Sequence, residues 1–308
     1  MVGVLMQMGA LILCGAAWRI IRPGGVDADL ARRVLTTLVF NFSLPALVLT
    51  VLWQADLGRQ TLAIALFGLG TVLAGVVAAW LLFTLLRVQP RRRGAAILAV
   101  AFANVTYMGL PVLEHIFGPW ARAVAIQLDL FANTPLLLGL GALIARHYGT
   151  AETPSEGLLR PLLVNPPLWA ALLAMGLDAG GVAEPAWLAR PLQLLASPVV
   201  PLMLLALGLG LHWDSWRWRN LPTAGLVMAL KLMAMPLCGL WLGRWLDFQG
   251  ETYQALVLES AMPSMLLGVV YCDRYRLDTA FYALAVLLTT LGAMLSLPYW
   301  HGQAALAG

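Results

Sequence analysis

Two short runs of this chain hold polar groups of the kind that handle a small solute. Asn104, Tyr107, Gly109 and Pro111 lie in GAAILAVAFANVTYMGLPVLEHIF, residues 94 to 117. Glu259, Ser260, Pro263, Ser264 and Gly268 lie in YQALVLESAMPSMLLGVVYCDRY, residues 253 to 275. Asparagine offers both donors and an acceptor, a serine hydroxyl does the same, and a carboxyl can exchange a proton. Proline removes a backbone donor and clashes with the preceding turn, and glycine permits a bend. Both runs are therefore expected to be interrupted helices whose freed backbone groups and side chains can hydrogen-bond a ligand.

Three further residues carry chemistry into apolar surroundings. Lys231 needs a partner, because an unpaired ammonium deep in a bilayer costs at least roughly 2.5 kcal/mol. It either snorkels to an interface or pairs with Glu259, Asp129 or a bound anion. Asp129 and Asn133 in AIQLDLFANTPLL are four apart, on one helical face. The plain alternative is a structural carboxylate satisfied by neighbouring helix ends. Glu259 could take up a proton if Lys231 is not beside it, so coupling to protons or sodium is an expectation. Tyr107 either reaches the same cavity or packs. Glu114 and His115 fall near a mouth of the path, with no role assigned.

No set of residues points to catalysis. There is no His-Glu-x-x-His, no Gly-x-Ser-x-Gly, no Walker motif and no paired aspartates in an intramembrane-protease context. Cys14, Cys238 and Cys272 and the four histidines are scattered, so no disulfide framework, metal site or cofactor is expected. An enzyme is not expected.

The elements that must position these groups are membrane helices. Of 308 residues, 61% are hydrophobic and 11% charged, against roughly 25% charged in soluble domains, and the mean hydropathy is +0.82. A bilayer core of about 30 Å takes about 20 helical residues. Ten apolar segments have that length: 2 to 21, 31 to 52, 61 to 86, 94 to 117, 121 to 146, 161 to 178, 187 to 211, 221 to 246, 252 to 272 and 279 to 300. Alternating connections assign fourteen of the nineteen basic residues to one side, four to the other, and Lys231 to the eighth span. The positive side is cytoplasmic, so both termini are expected in the periplasm of a bacterial inner membrane. The first positive charges, Arg19 and Arg22, follow the first apolar run, which reads as a retained helix and not a cleaved signal. The basic groups signal topology and no nucleic-acid partner. Tryptophans near segment ends form an interfacial belt.

Five plus five spans invert the second half relative to the first, as in the inverted repeats of secondary transporters. Residues 1 to 148 form the first half, 149 to 160 a cytoplasmic linker and 161 to 308 the second. A shift of 156 residues lays Pro45 on Pro201, Gly94 on Gly250, Asn104 on Ser260 and the fourth span on the ninth. Paired interruptions in equivalent spans point to a binding site, with two harmless kinks as the plain alternative. Half-helix N-termini attract anions, which favours an organic anion as substrate.

NVTYMGLP is similar to the Asn-x-Gly-Phe-x-Gly-x-Pro signature of the auxin efflux carrier family of permeases, within the bile acid/sodium symporter-like superfamily. AMPSMLLGVVYCDRYRLD resembles that family's second signature. FNFSLPALVL, LLVNPPLWAALLAMGL and the Lys231 to Pro236 segment resemble further family features, so the likeness covers nearly the whole chain. Thr106 stands where the family usually has glycine, and Glu259 is an unusual charge. The resemblance implies an all-α fold of two inverted five-helix repeats whose fourth and ninth helices unwind and cross at their prolines. It implies an elevator in which helices three to five and eight to ten move against one, two, six and seven. It also points to carboxylated metabolites. A sensor or structural subunit on the same scaffold, or a membrane enzyme, is the competing reading. The helices outside the moving bundle leave an apolar face on which a homodimer could form.

Overall fold

The computed structural model describes residues 2–55, 58–150, 163–211 and 220–307. Among them every regular element is helical, because without water each backbone donor and acceptor must be satisfied within its own segment. Among the described residues six helices are long and apolar enough to cross a bilayer: Ala28–Trp53, Gln60–Leu85, Ala121–Tyr148, Ala186–Leu209, Leu221–Trp245 and Thr279–Ala307. Their outer faces expose Leu62, Leu85, Trp187, Trp241 and Leu295, a surface suited to hydrocarbon and not to water. Phe67, Phe83, Phe102, Tyr253, Tyr282 and Trp300 are fully buried between the helices.

The other apolar segments take different forms. Val2–Ile21 is one helix. Pro166–Ala179 has only 14 residues, about 21 Å at the α-helical rise. The expected fourth and ninth spans are each two pieces, Pro90–Ala101 with Leu110–Phe117 and Gly250–Ser260 with Gly268–Arg274. The expected linker at 149 to 160 lies outside the described residues from 151 onward, as do Arg217 and Arg219 of the basic side.

Packing falls into two groups. Val2–Ile21, Ala28–Leu38, Leu44–Trp53, Pro166–Ala179, Ala186–Ala196 and Val199–Leu209 pack mainly on one another. Arg59–Leu85, the two broken helices, Ala142–Tyr148, Leu221–Ala229, Met235–Trp245 and Thr279–Ala307 form the second group.

Among the described residues four helices carry a wide turn of five residues with a proline two residues after the turn. These turns are Val39–Ser43 before Pro45, Val105–Gly109 before Pro111, Asp129–Asn133 before Pro135 and Leu230–Ala234 before Pro236. A proline ring collides with the carbonyl four residues back and offers no N–H to it. Widening the preceding turn moves that carbonyl aside without ending the helix. A fifth wide turn, Leu137–Gly141, has no such proline.

A polar centre at the crossing of two broken helices

The first broken helix stops at Ala101, and Phe102 is extended, with φ −100° and ψ 119°. The second stops at Ser260 and restarts at Gly268. Between the stops the two chains touch as antiparallel neighbours at Ala103 and Ser264. Asn104 N donates to Pro263 O at 2.9 Å, and Met265 N donates to Phe102 O at 3.0 Å. The crossing therefore lies at Pro263 in one helix but at Phe102–Asn104 in the other, well before Pro111. That departs from a crossing at both prolines. Pro111 occupies the second position of Leu110–Phe117, where a missing N–H costs little, and the wide turn ahead of it absorbs the strain.

Breaking a helix in the middle of a bundle orphans its last carbonyls, and side chains from elsewhere close them. Ser264 Oγ donates to Ala99 O at 2.7 Å, and Lys231 Nζ donates to Val100 O at 3.1 Å. Lys231 is 1% exposed, so it does not snorkel. It sits at the negative end of the half-helix Pro90–Ala101, the favourable place for a cation. Among the described residues no ion pair within 4 Å joins it to Glu259 or Asp129. It nevertheless shares a small cavity with Glu259. Asn133 Nδ2 likewise closes Ala103 O at 3.1 Å, and Tyr282 Oη closes Met265 O at 2.7 Å.

Asp129 is held by three donors. Asn133 Nδ2 and Thr134 Oγ1 both donate to Oδ1 at 3.1 Å, and the Thr106 hydroxyl donates to Oδ2. The four-residue spacing on one face found Asn133. Thr134, five residues on, reaches the same oxygen because the intervening turn is the wide one at Asp129–Asn133. Thr106, where the resembling family has glycine, supplies the third bond.

Glu259 contrasts with Asp129. It is fully buried, and neither carboxylate oxygen has a hydrogen-bond partner. Its carboxylate lies against the backbone of Gly109, so that a side-chain carbon at 109 would run into it. Glycine at 109 thus serves a close approach. Gly268 does the same for the ring and hydroxyl of Tyr282.

The remaining expected residues divide. Asn104 is buried, and its Nδ2 has no partner. With Tyr107, Thr106, Asp129, Thr134 and Asn165 it lines a cavity of about 30 Å³. On the other side of the crossing Asn133, Lys231, Glu259 and Ser260 line one of about 20 Å³. Each is room for about one water. Ser260 is turned back on its own helix, donating to Val257 O at 2.6 Å, and Ser264 N is held by Thr289 Oγ1 at 3.2 Å. Pro111 lies apart from these cavities and lines a larger one, about 610 Å³, with Thr50, Glu114, Arg122, Gln193 and Ser197. There Arg122 pairs with Glu114.

Thr106, Thr134, Asn165, Tyr282 and Thr289 were not singled out as site residues from the sequence. Thr134 has a local signal in the proline at 135 that widens the turn before it, and Asn165 has one as the N-cap that accepts from Leu168 N at 3.2 Å. Thr106, Tyr282 and Thr289 meet their partners across helices.

The centre thus joins two interrupted helices, two buried carboxylates, one buried ammonium and an unpartnered amide, inside a bundle whose outside is apolar. The model of the family described as "Membrane transport protein" matches residues 11–301. The chain is 29% identical over 298 residues to an uncharacterized transporter of Methanothermobacter thermautotrophicus, covering 94% of each chain. It is 24% identical to the uncharacterized transporter MJ1031 of Methanocaldococcus jannaschii, covering 90% of this chain and 91% of that one. It is 23% identical to the uncharacterized transporter YfdV of Escherichia coli, covering 87% of both. With the match running over nearly its whole length, this multi-pass membrane protein belongs to the membrane transport protein family of auxin efflux carriers.

Proposed function

We propose that the protein is a secondary transporter that carries a small organic anion, a carboxylate, across a bacterial inner membrane by an elevator-type alternation. On this reading ten spans form two inverted five-helix repeats with both termini periplasmic. The observation that carries it is the polar crossing of two broken helices in the bundle centre, where Asn104 keeps a free amide donor over a cavity. A buried donor without a partner is costly, and a solute carboxylate would satisfy it. The two packing groups support the elevator: the crossing lies wholly within the group of helices proposed to move. The cavities also support alternation. About 610 Å³ lies beside Pro111, whereas about 30 Å³ remains at Asn104, an asymmetry in keeping with a site reached from one side at a time.

The charges of the centre shape the proposal. Asp129 and Glu259 outnumber Lys231, and an anionic solute adds a further negative charge in a low dielectric. A proton or sodium ion entering with the solute would offset it. The scaffold group, which keeps an apolar outer face, is the proposed surface for a homodimer.

Reconstituted protein in sealed liposomes tests the reading. Saturable uptake of labelled dicarboxylates or aromatic acids, lost in Asn104→Ala, is the expected result. Solute binding without flux would overturn it in favour of a sensor. Uptake unchanged when the pH and sodium gradients are collapsed, with the solute gradient intact, would remove the coupling.

A further inference from the structure

Away from the crossing, the strongly basic end of the bundle holds a second cavity. It measures about 580 Å³ and is lined by Gln89, Arg91, Arg92, Asn220, Asp278 and Thr279, with Leu277 beside them. Three helices begin at its wall: Pro90–Ala101 after Gln89, Leu221–Ala229 after Asn220, and Thr279–Ala307 after Asp278. The three pack on one another, so their positive ends converge on one space.

The residues there are unequally occupied. Asp278 is taken, pairing with Arg92 Nε at 3.0 Å and accepting from Phe281 N at 3.1 Å. Its negative charge is therefore matched by Arg92. Arg91 donates from Nε to Arg276 O at 2.6 Å and from Nη2 to Leu277 O at 3.3 Å. Neutral carbonyls hold this guanidinium in place and leave its charge uncancelled. Gln89 and Asn220 stand at N-cap positions, yet neither side chain caps its helix. Asn220 is only 3% exposed and lines the cavity, and among the described residues its side chain makes no hydrogen bond. An amide at the cavity wall beside a fixed arginine and three helix starts has the donors and the positive potential that suit an anion.

We infer that this cavity binds a phosphate group, as the headgroup phosphate of an anionic phospholipid or as free phosphate. Arg91 and the Asn220 amide contact it, and the starts of Pro90–Ala101 and Leu221–Ala229 stabilise its charge. The volume accommodates a glycerophosphate headgroup, well above the roughly 30 Å³ that one water occupies. Basic pockets between membrane helices on the cytoplasmic side suit such headgroups. The site is separate from the solute centre and does not depend on what the protein transports.

The test uses the purified full chain in an uncharged detergent at constant ionic strength. It is titrated separately with inorganic phosphate, with short-chain phosphatidylglycerol and with phosphatidylcholine, and the readouts are the thermal midpoint and displacement of a fluorescent phosphatidylglycerol. Saturable binding is expected, weakened about tenfold or more in Arg91→Gln, the loss of one charge-assisted hydrogen bond. Asn220→Asp keeps the side-chain shape and sets a carboxylate in the cavity, so it should weaken binding at least as much without depending on refolding. Arg146→Gln removes an exposed basic residue outside the cavity and should change nothing. Preference for phosphatidylglycerol over phosphatidylcholine identifies the lipid as the source; displacement by phosphate with no lipid preference identifies the free ion. No saturable binding by either probe, or equal losses in Arg146→Gln and Asn220→Asp, overturns the site.

Discussion

Replacing Lys231 with methionine separates two roles that the structure combines. The ammonium donates to Val100 O at 3.1 Å and is 1% exposed. Losing that charge-assisted bond costs about 1.5–3 kcal/mol. The same ammonium is the cation in the cavity of Glu259, whose two oxygens are buried and unpartnered. Removing it strands a carboxylate, and breaking a buried charge arrangement on one side costs about 3–5 kcal/mol. Lys231→Met is thus expected to lower stability by about 3–5 kcal/mol, a fall in thermal midpoint of at least about 6 °C for a chain of this size. Glu259→Gln alone gives up no hydrogen bond and leaves the ammonium on Val100 O at a helix C-terminus, so it should cost less than Lys231→Met. The double variant should recover at least half of the Lys231→Met loss, because no charge is left stranded. Thermal unfolding of the four proteins in one detergent measures the cycle. A double variant no more stable than Lys231→Met would refute the electrostatic link and leave the lysine as a helix cap alone.

The remaining predictions concern the glycine, the open amide and the wide cavity. Gly109→Ala drives a methyl into the Glu259 carboxylate and should cost about 1–3 kcal/mol; adding Glu259→Ala should restore most of the midpoint, and failure to do so would place the strain elsewhere. Asn104→Ala removes an Nδ2 that holds nothing in the protein, so unfolding should shift by under about 1 kcal/mol while uptake falls about tenfold or more. A large loss of stability would make Asn104 structural. In a background with Cys14, Cys238 and Cys272 replaced by serine, Thr50→Cys and Ser197→Cys line the cavity of about 610 Å³. An impermeant maleimide should modify both from the side with few basic residues, at least about tenfold faster than Leu44→Cys beside the small cavity. Equal rates would mean that the two cavities are equally accessible.

Much of the architecture was legible along the chain. Apolar length located the helical segments, since hydrocarbon demands self-satisfied backbones wherever it is met. The interruptions near Asn104 and Pro263 were legible from polar residues beside glycine and proline within apolar runs. The wide turns were also written there, in prolines 45, 111, 135 and 236, because a ring that cannot accept the regular turn forces the preceding one open. Local rules put Asn133 beside Asp129 and missed Thr134 only because they assumed a regular turn.

What the tertiary structure alone decided is who meets whom. Composition required a partner for Lys231 and left snorkelling, a carboxylate or a bound anion as alternatives; packing chose Val100 O, 131 residues away. It placed the first crossing at Phe102–Asn104 and not at Pro111, since the extended residues had to face Pro263 O and Met265 N. It gave Asp129 three donors and Glu259 none, although both are acidic residues in apolar helices. The physical reason is one of range. Periodicity, breaks and turn width follow from neighbours along one helix, whereas hydrogen-bond closure of a broken helix depends on the register in which separate helices pack, which no single segment carries.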